Sequence, residues 1–252
     1  MKRKLGQNFL INNEIALREV DYADIKSSDS VLEIGPGKGI LTKVIADKAK
    51  KVYAIELDKN LIEYLERILP KNVEIIHGDA VKTDFDKIHF NKIVSNLPFQ
   101  ISSPITFKFL NYDFDSAVLI YQEDFAKRMV SFPGDKNYSN LTVHLYYKAF
   151  CEILEKISKN CFYPKPKVDA CLVRLIPRSR PPFKVDDEKF FVELSRLLFN
   201  NRRKMIRSVI KNNFDVNLEN IPFKERRVEK LSPEDIGFLS DMLLKGISSN
   251  SC

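Results

Sequence analysis

Four consecutive residues, Asn96-Leu97-Pro98-Phe99, combine the residue types best suited to chemistry on a planar base. They follow the apolar run Lys92-Ile93-Val94-Ser95, which predicts a buried strand that ends at a pocket. Amide and backbone oxygens accept hydrogen bonds, and a phenylalanine ring offers a flat stacking surface. Acceptors that hold the N–H groups of an adenine amine would favour a tetrahedral nitrogen and expose its lone pair, which stabilises the transition state of an attack. The plainer interpretation is a strand end followed by an X-Pro turn.

A second set of residues predicts a nucleoside-binding site. Gly35-Pro36-Gly37-Lys38-Gly39 follows a predicted strand, and its glycines allow a tight turn and close approach of a ligand to the backbone. The next strands lead to Glu56, suited to a ribose diol, and to Asp79, suited to an adenine amino group. The glycine spacing differs from the dinucleotide fingerprint, and there is no phosphate-binding G-x-x-x-x-G-K-[ST] motif. S-adenosylmethionine therefore fits best, while a nicotinamide cofactor and a simple tight turn stay open as alternatives.

The elements that must position these residues alternate between strand and helix. The predicted strands are 30–34, 52–56, 73–76, 92–95 and 116–121, and the helices between them include 40–48 and 58–69. This alternation predicts an α/β fold with a Rossmann-like, doubly wound, mostly parallel sheet. Two more strand-like runs, 149–157 and 170–176, lack a convincing helix between them and predict an antiparallel pair at one sheet edge.

Beyond Pro177 the pattern becomes helical. Residues 177–182 are rich in proline and predict a linker, so we expect a catalytic domain of residues 1–178 and a small all-α C-terminal domain of residues 179–252. The helices predicted by apolar spacing in the second domain are 187–198, 202–211 and 233–245. Ser232 is the expected N-cap of the last helix, and Gly246 is its expected end.

Composition and charge limit the possible classes of function. The 252 residues are 44% hydrophobic and 30% charged, and no apolar stretch approaches a membrane span. The basic start at Lys2, Arg3 and Lys4 precedes only a short apolar segment, so we expect no signal peptide and a cytoplasmic protein. The net charge is +7, and residues 177–230 hold 14 Lys and Arg against 8 Asp and Glu. A polyanion is the expected partner, although an ordinary solvated surface would have the same composition.

Cysteine and histidine placement argues against a metal centre. The residues in question are Cys151, Cys161, Cys171, Cys252, His77, His89 and His144. None of the cysteines forms a C-x-x-C pair and the histidines are scattered, so we expect neither a zinc site nor a disulfide framework.

These motifs, in this order and over nearly the whole chain, resemble the ribosomal RNA adenine N(6)-dimethyltransferases that act on small-subunit RNA. The matching segments are Leu5-Gly6-Gln7-Asn8-Phe9-Leu10, Glu33-Ile34-Gly35-Pro36-Gly37-Lys38-Gly39, Ile55-Glu56-Leu57-Asp58, Gly78-Asp79-Ala80, Asn96-Leu97-Pro98-Phe99, Tyr163-Pro164-Lys165-Pro166-Lys167-Val168-Asp169 and Asn201-Arg202-Arg203-Lys204. Members often have Tyr where this chain has Phe99, so here we assign stacking only. The related erythromycin-resistance methyltransferases modify large-subunit RNA and more often have Ile at the position of Leu97.

The resemblance implies a class I methyltransferase that uses S-adenosylmethionine without a metal. It places Gln7, Asn8, Leu10, Gly35, Gly37, Glu56, Asp79 and Asn96 in the methyl-donor pocket and Asn96, Leu97, Pro98 and Phe99 at the catalytic centre. It assigns RNA binding to a basic helix that carries Arg202, Arg203, Lys204 and Arg207. The implied partner is small-subunit ribosomal RNA or a precursor of the small subunit, and we expect a monomer that does not bind membranes. The rival hypotheses are a non-catalytic assembly factor, a dinucleotide-dependent oxidoreductase, and a methyltransferase for DNA or small molecules.

Overall fold

The computed structural model describes residues 8–249 of the chain. The described chain forms two compact units. The first comprises residues 8–126 with Phe150–Pro177, and the second comprises Lys127–Ala149 with residues 178–249.

A seven-stranded sheet forms the centre of the first unit. Its strands are β2 (Ser30–Ile34), β3 (Lys51–Glu56), β4 (Val73–His77), β5 (Lys92–Asn96), β6 (Ser116–Gln122), β7 (Ala149–Ile157) and β9 (Ala170–Pro177). Across the sheet they lie in the order β4-β3-β2-β5-β6-β9-β7. Strands β2 to β6 pair in parallel, and β9 runs antiparallel to β6. This confirms the predicted Rossmann-like class, with β7 and β9 at one edge.

Helices cover the sheet because their apolar residues are buried against it. The helices of the first unit are α1 (Asn13–Tyr22), α2 (Ile40–Lys48), α3 (Lys59–Ile68) and α4 (Ser102–Phe109), and α5 (Glu123–Met129) crosses the boundary between the units. Val31, Val52 and Val94 from the strands are fully buried in one core cluster with Ala16 and Ile45 from α1 and α2. The sequence analysis did not identify α1, although Asn12 caps it by accepting from the backbone N–H groups of residues 14 and 15.

A short two-stranded sheet in the first unit ties the start of the described chain to a later loop. Strand β1 (Phe9–Leu10) pairs antiparallel with β8 (Phe162–Tyr163). The pairing fixes the position of Asn8, because its side-chain Nδ2 donates to the Pro164 carbonyl at 2.6 Å.

The second unit is built from helices α6 (Asn140–Lys148), α7 (Glu188–Phe199), α8 (Ile206–Asn213) and α9 (Pro233–Ser249). Its boundary after Pro177 lies one residue from the one we expected, but the unit also takes in residues 127–149. The reason is that Tyr138, Val143 and Tyr147 pack in one apolar core with residues of α7, such as Phe191. Periodicity alone does not reveal that distant pairing.

Two helix boundaries predicted in the second unit were wrong. The predicted helix 202–211 begins only at Ile206, because the backbone of residues 202–207 pairs with residues 224–229 instead. The last helix does not end at Gly246 but continues to Ser249. Its start is as predicted, since Ser232 Oγ accepts from the backbone N–H of Asp235 at 3.1 Å.

Within residues 8–249, none of the helices combines the length and the apolar character needed to cross a bilayer.

Candidate functional site

The carboxyl ends of the parallel strands in the first unit surround a cavity. Parallel strands must meet there, so residues far apart in sequence converge at this edge. The cavity is lined by Asn8, Phe9, Leu10, Glu33, Gly35, Pro36, Gly37, Lys38, Ile40, Leu41, Glu56, Asn96 and Pro98. Of the sequence-predicted donor residues within the described chain, only Asp79 does not line it. Gln7 lies outside the described residues.

The glycine turn after β2 has a backbone that other residues rarely adopt. Gly35 and Gly37 have φ angles of 70° and 57°. A β-carbon on Gly37 would lie 2.8 Å from the Phe9 ring, and one on Gly35 would lie 3.1 Å from the Pro98 ring. The absence of side chains therefore keeps the cavity open to a ligand that approaches the backbone.

Glu56 is fixed by hydrogen bonds from the backbone around it. Its Oε1 accepts from the N–H groups of Leu57 and Asp58, each at 2.9 Å, and its Oε2 accepts from the Gly37 N–H at 3.4 Å. The side chain is buried, and burial raises the pKa of the carboxyl group while these three backbone bonds counteract the shift. A carboxylate held in this way is a rigid acceptor, which suits a ligand diol.

Asn96 is positioned by the β1–β8 pair. Its Nδ2 donates to the Asn8 carbonyl at 3.2 Å, while Asn8 itself is bonded to Pro164. This bond uses the amide nitrogen of Asn96, so the side-chain oxygen is the acceptor left for a substrate. The sequence places these three residues far apart, and the structure brings them into one chain of contacts.

The other residues of the Asn96–Phe99 motif have different surroundings. The Leu97 side chain is buried and the Pro98 ring lies against Gly35. Phe99 is half-buried and meets Phe162 edge-on, with ring centroids 6.3 Å apart. Of these three residues, Pro98 is the one that lines the cavity.

Asp79 belongs to a helical turn that follows β4. Its Oδ1 accepts from the Val81 N–H at 3.0 Å, and its carbonyl oxygen accepts from Lys82 N, Thr83 N and Thr83 Oγ1. Its Oδ2 lies 3.9 Å from the exposed Lys82 ammonium. The second carboxylate oxygen is thus only loosely engaged within the turn.

Two buried acids near the cavity, Glu33 and Glu19, received no role in the sequence analysis, although Glu33 begins one of the segments quoted there. Glu33 lines the cavity, and burial raises the pKa of its carboxyl group to about 8. Glu19 on α1 is fully buried, and burial and the nearby Glu33 raise its pKa well above the ordinary value. The backbone N–H of Ser95 counteracts this shift, although neither carboxylate oxygen of Glu19 has a partner at ordinary hydrogen-bond geometry among the described residues. The burial of Glu19 could not be predicted from the sequence, because acidic residues of an amphipathic helix usually lie on its solvent face.

The predicted basic motif of the second unit forms a turn, which we call the basic turn (residues 200–204). Arg202 is held inside the unit by Glu229 at 3.3 Å and by the carbonyls of Lys136 and Asp135 at 2.7 and 3.2 Å. These contacts fix the loop around Lys136 next to the basic turn. Arg202 thus has its guanidinium engaged within the protein.

Exposed cations surround a cavity at the basic turn. Arg203 and Lys204 are exposed, and they line it together with Lys136, which the sequence analysis missed. Arg207 on α8 is also exposed but lies 3.1 Å from Glu225. The cavity is therefore lined by four cations from two distant parts of the sequence, the three exposed ones and Arg202, with Glu229 as the one acid among its described lining residues, which suits a polyanion.

Comparisons with known proteins agree with this geometry. Residues 1–243 match the family model of the ribosomal RNA adenine dimethylases. The chain is 45% identical to the probable ribosomal RNA small subunit methyltransferase A of Pyrococcus furiosus, over 97% of this chain and 93% of that protein.

Two solved structures are similar over most of the chain. A dimethyladenosine transferase from Plasmodium falciparum aligns with a TM-score of 0.79 and 33% identity, over 94% of this chain and 97% of that one. The 23S rRNA methyltransferase ErmE aligns with a TM-score of 0.69 and 25% identity, over 94% and 99% of the two chains. The match to the family model and the identity to these relatives show that the chain belongs to the ribosomal RNA adenine dimethylases, which are S-adenosylmethionine-dependent methyltransferases.

Proposed function

We propose that this protein transfers methyl groups from S-adenosylmethionine to the exocyclic amino nitrogen of adenosines in small-subunit ribosomal RNA. We infer two methyl groups on each of two adjacent adenosines near the 3′ end, in the cytoplasm, as a step in small-subunit biogenesis. The observation that carries the proposal is the Asn96 amide, held by the Asn8 carbonyl at the edge of a cavity that Glu56 also lines.

The cavity residues have the chemistry needed for the methyl donor. The fixed Glu56 carboxylate would accept hydrogen bonds from the two ribose hydroxyls. The backbone of Gly35 and Gly37, which carries no side chains, would lie against the methionine part of the donor. Asp79 would accept from the adenine amine through the carboxylate oxygen that its own turn leaves loosely engaged. Gln7, Asn8 and Leu10 complete the proposed donor set.

The donor supplies an electrophilic methyl group on a cationic sulfur, so no general base is needed before transfer. The protein has to align the target amine and accept its hydrogen bonds. Asn96 Oδ1 and the Leu97 carbonyl are the proposed acceptors, and Phe99 is the proposed stacking surface for an adenine taken out of its stack. As the bond between the amine nitrogen and the methyl carbon forms, the carbon–sulfur bond would break and S-adenosylhomocysteine would leave. The nitrogen becomes cationic in this step and then releases its proton to solvent.

For RNA binding we propose that Arg203, Lys204 and Lys136 contact phosphates. Arg202 contributes by holding the Lys136 loop, and Arg207 adds positive charge although Glu225 partly neutralises it. Phosphate contacts of this kind position the substrate without reading its sequence. The proposed acting species is a monomer.

The proposal is tested with labelled S-adenosylmethionine and three substrates that lack the modification: small subunits, large subunits and naked ribosomal RNA. Digested nucleosides are identified by mass spectrometry. Dimethyladenosine from small subunits alone supports the proposal. Label in large subunits favours the second candidate function, methylation of large-subunit RNA, which the similarity to the 23S rRNA methyltransferase ErmE supports. Donor binding without transfer to any substrate would favour a non-catalytic assembly factor.

A further inference from the structure

Lys108 on α4 makes an unusual set of contacts with the turn that carries Asp79. Its ammonium donates to the carbonyls of Ala80 at 2.9 Å and Val81 at 3.1 Å, and also to the carbonyl of Thr83. A lysine ammonium has three donors, so these contacts occupy all of them. Lys108 is therefore committed to the protein itself and has no N–H group left for an RNA phosphate.

The remaining contact of Lys108 is with an aromatic ring in the core. Its Nζ lies 3.9 Å from the centroid of Phe85, which is buried to 1% exposure. The ring face stabilises a cation that is partly removed from water. This burial lowers the pKa of the ammonium, while the charges of Asp84 and Asp79 oppose the shift.

Asp79 and Lys108 hold different groups of the same turn. Hydrogen bonds to Asp79 fix the N–H groups of Val81, Lys82 and Thr83. A single turn leaves its carbonyl oxygens without intrahelical donors, and three of those oxygens point to one ammonium. Asp79 thus fixes the donor side of the turn and Lys108 fixes the acceptor side.

We propose that Lys108 is a positioning residue that holds Asp79 in the orientation required to bind the adenine of the methyl donor. This inference rests on the proposed function, because it assigns Asp79 to the donor adenine. Helix α4 follows directly after the segment Phe99–Ile101, so the same helix connects the Asn96–Phe99 motif to the Asp79 turn. A lysine at the end of a short helix gave no sign of this role in the sequence.

The test measures the affinity of the full-length chain for two ligands by calorimetry. The first is S-adenosylhomocysteine, and the second is its analogue with hydrogen in place of the purine 6-amino group. Lys108→Met keeps the apolar stem but removes the three donors. Lys71→Met, an exposed lysine in the turn before β4, is the matched control.

We expect Lys108→Met to lower the affinity for S-adenosylhomocysteine about tenfold, which is the effect of losing roughly one well-placed hydrogen bond. The affinity for the analogue should change less than about threefold, because the analogue lacks the amino group that Asp79 is proposed to bind. Lys108→Arg should recover most of the affinity for S-adenosylhomocysteine, since it restores a cation over Phe85. If Lys108→Met does not fold, any loss of affinity in Lys108→Arg relative to wild type should still be larger for S-adenosylhomocysteine than for the analogue, and an equal loss for both ligands would overturn the proposal.

Several results would overturn the proposal. An equal loss of affinity for both ligands in Lys108→Met would indicate a general structural role. A loss no larger than that in Lys71→Met would show that Lys108 does not position Asp79. An arginine variant as weak as the methionine variant would do the same. If the wild-type chain bound both ligands equally well, the assignment of Asp79 would fail. If it bound neither, the proposed function would fail and Lys108 would have no donor to position.

Discussion

The strand-end cavity of the first unit and the basic turn of the second unit differ in how they hold their charges. In the cavity, Glu56 is 4% exposed and its oxygens accept backbone N–H groups. At the basic turn, Arg203 and Lys204 are exposed, whereas Arg202 is fixed by internal contacts. A buried, fixed charge recognises one ligand shape, whereas exposed mobile charges attract any polyanion and are screened by salt.

This contrast leads to a functional expectation for each region. Changes in the cavity should alter donor affinity or the chemical step even when size is conserved. Changes at the basic turn should alter RNA affinity mainly through its dependence on salt.

The largest effect is expected at the point where the cavity meets the substrate. Replacing Asn96 by Ala removes the proposed side-chain acceptor and should lower the rate of methyl transfer about 100- to 1,000-fold. The donor dissociation constant should rise less than about fivefold, because Glu56 and the glycine turn remain. Single-turnover transfer and donor calorimetry measure the two effects. Comparable loss in both would contradict the assignment of Asn96 to catalysis.

A conservative change tests whether the cavity depends on a fixed carboxylate. Glu56→Gln keeps the size of the side chain but replaces one acceptor by a donor among backbone N–H groups. We expect donor affinity to fall about 10- to 30-fold. Glu66→Gln, an exposed acid on α3, serves as the control and should leave donor affinity unchanged. A Glu56→Gln variant that binds the donor normally would show that the carboxylate is not the ribose acceptor.

At the basic turn, the double change Arg203→Gln and Lys204→Gln should weaken RNA binding about tenfold at moderate salt. The slope of log affinity against log salt should become shallower by about 1.4, since each lost phosphate contact removes about 0.7 for a single strand. Fluorescence anisotropy over a salt series gives both values. Arg207→Gln is the comparison and should have a smaller effect, because Glu225 already partners Arg207. An unchanged slope in the double variant would exclude phosphate contact by the basic turn.

The smallest functional effect is expected at Glu19, where the change concerns stability. Because the folded chain raises the pKa of Glu19, it retains a proton that the unfolded chain releases above its ordinary pKa of 4.5. The free energy of unfolding should therefore fall as pH rises from about 5 to 8. Glu19→Met removes the part of this loss that Glu19 causes, while the buried Glu33 still contributes its own part. We expect the variant to stabilise the protein by about 1 to 3 kcal/mol at pH 8 and by less at pH 5.

Urea unfolding of wild type and Glu19→Met at the two pH values measures this difference. Glu66→Met, which replaces an exposed acid, should show no such dependence on pH. A Glu19→Met variant that gains no stability at pH 8 would indicate that the buried carboxyl group is satisfied in solution.

The parts of the fold that could be predicted are those in which neighbouring residues determine the outcome. The strands β2 to β6 are short apolar runs bounded by turn residues, and their alternation with helices places Glu56 and Asn96 at one edge of the sheet. The glycine turn could also be predicted, because the positive φ angles of Gly35 and Gly37 are ones that glycine adopts most easily.

The parts that could not be predicted depend on contacts between distant residues. The basic residues were expected on a helix, but residues 200–204 form a turn because the backbone of residues 202–207 pairs with that of residues 224–229. Lys136 joins them through contacts such as the one that Arg202 makes with its carbonyl across 66 positions of the sequence. Burial of Glu19 and the grip of Lys108 on the Asp79 turn likewise appear only when the tertiary structure is known.

The most direct test of the account is a crossed measurement on two variants, Glu56→Gln and the double variant Arg203→Gln, Lys204→Gln. Donor affinity and RNA affinity are measured for both, at the same salt and pH. We expect Glu56→Gln to lose donor affinity with RNA affinity within about twofold of wild type, and the basic-turn variant to show the reverse. Loss of both affinities in either variant would contradict the division of donor and RNA binding between the two units.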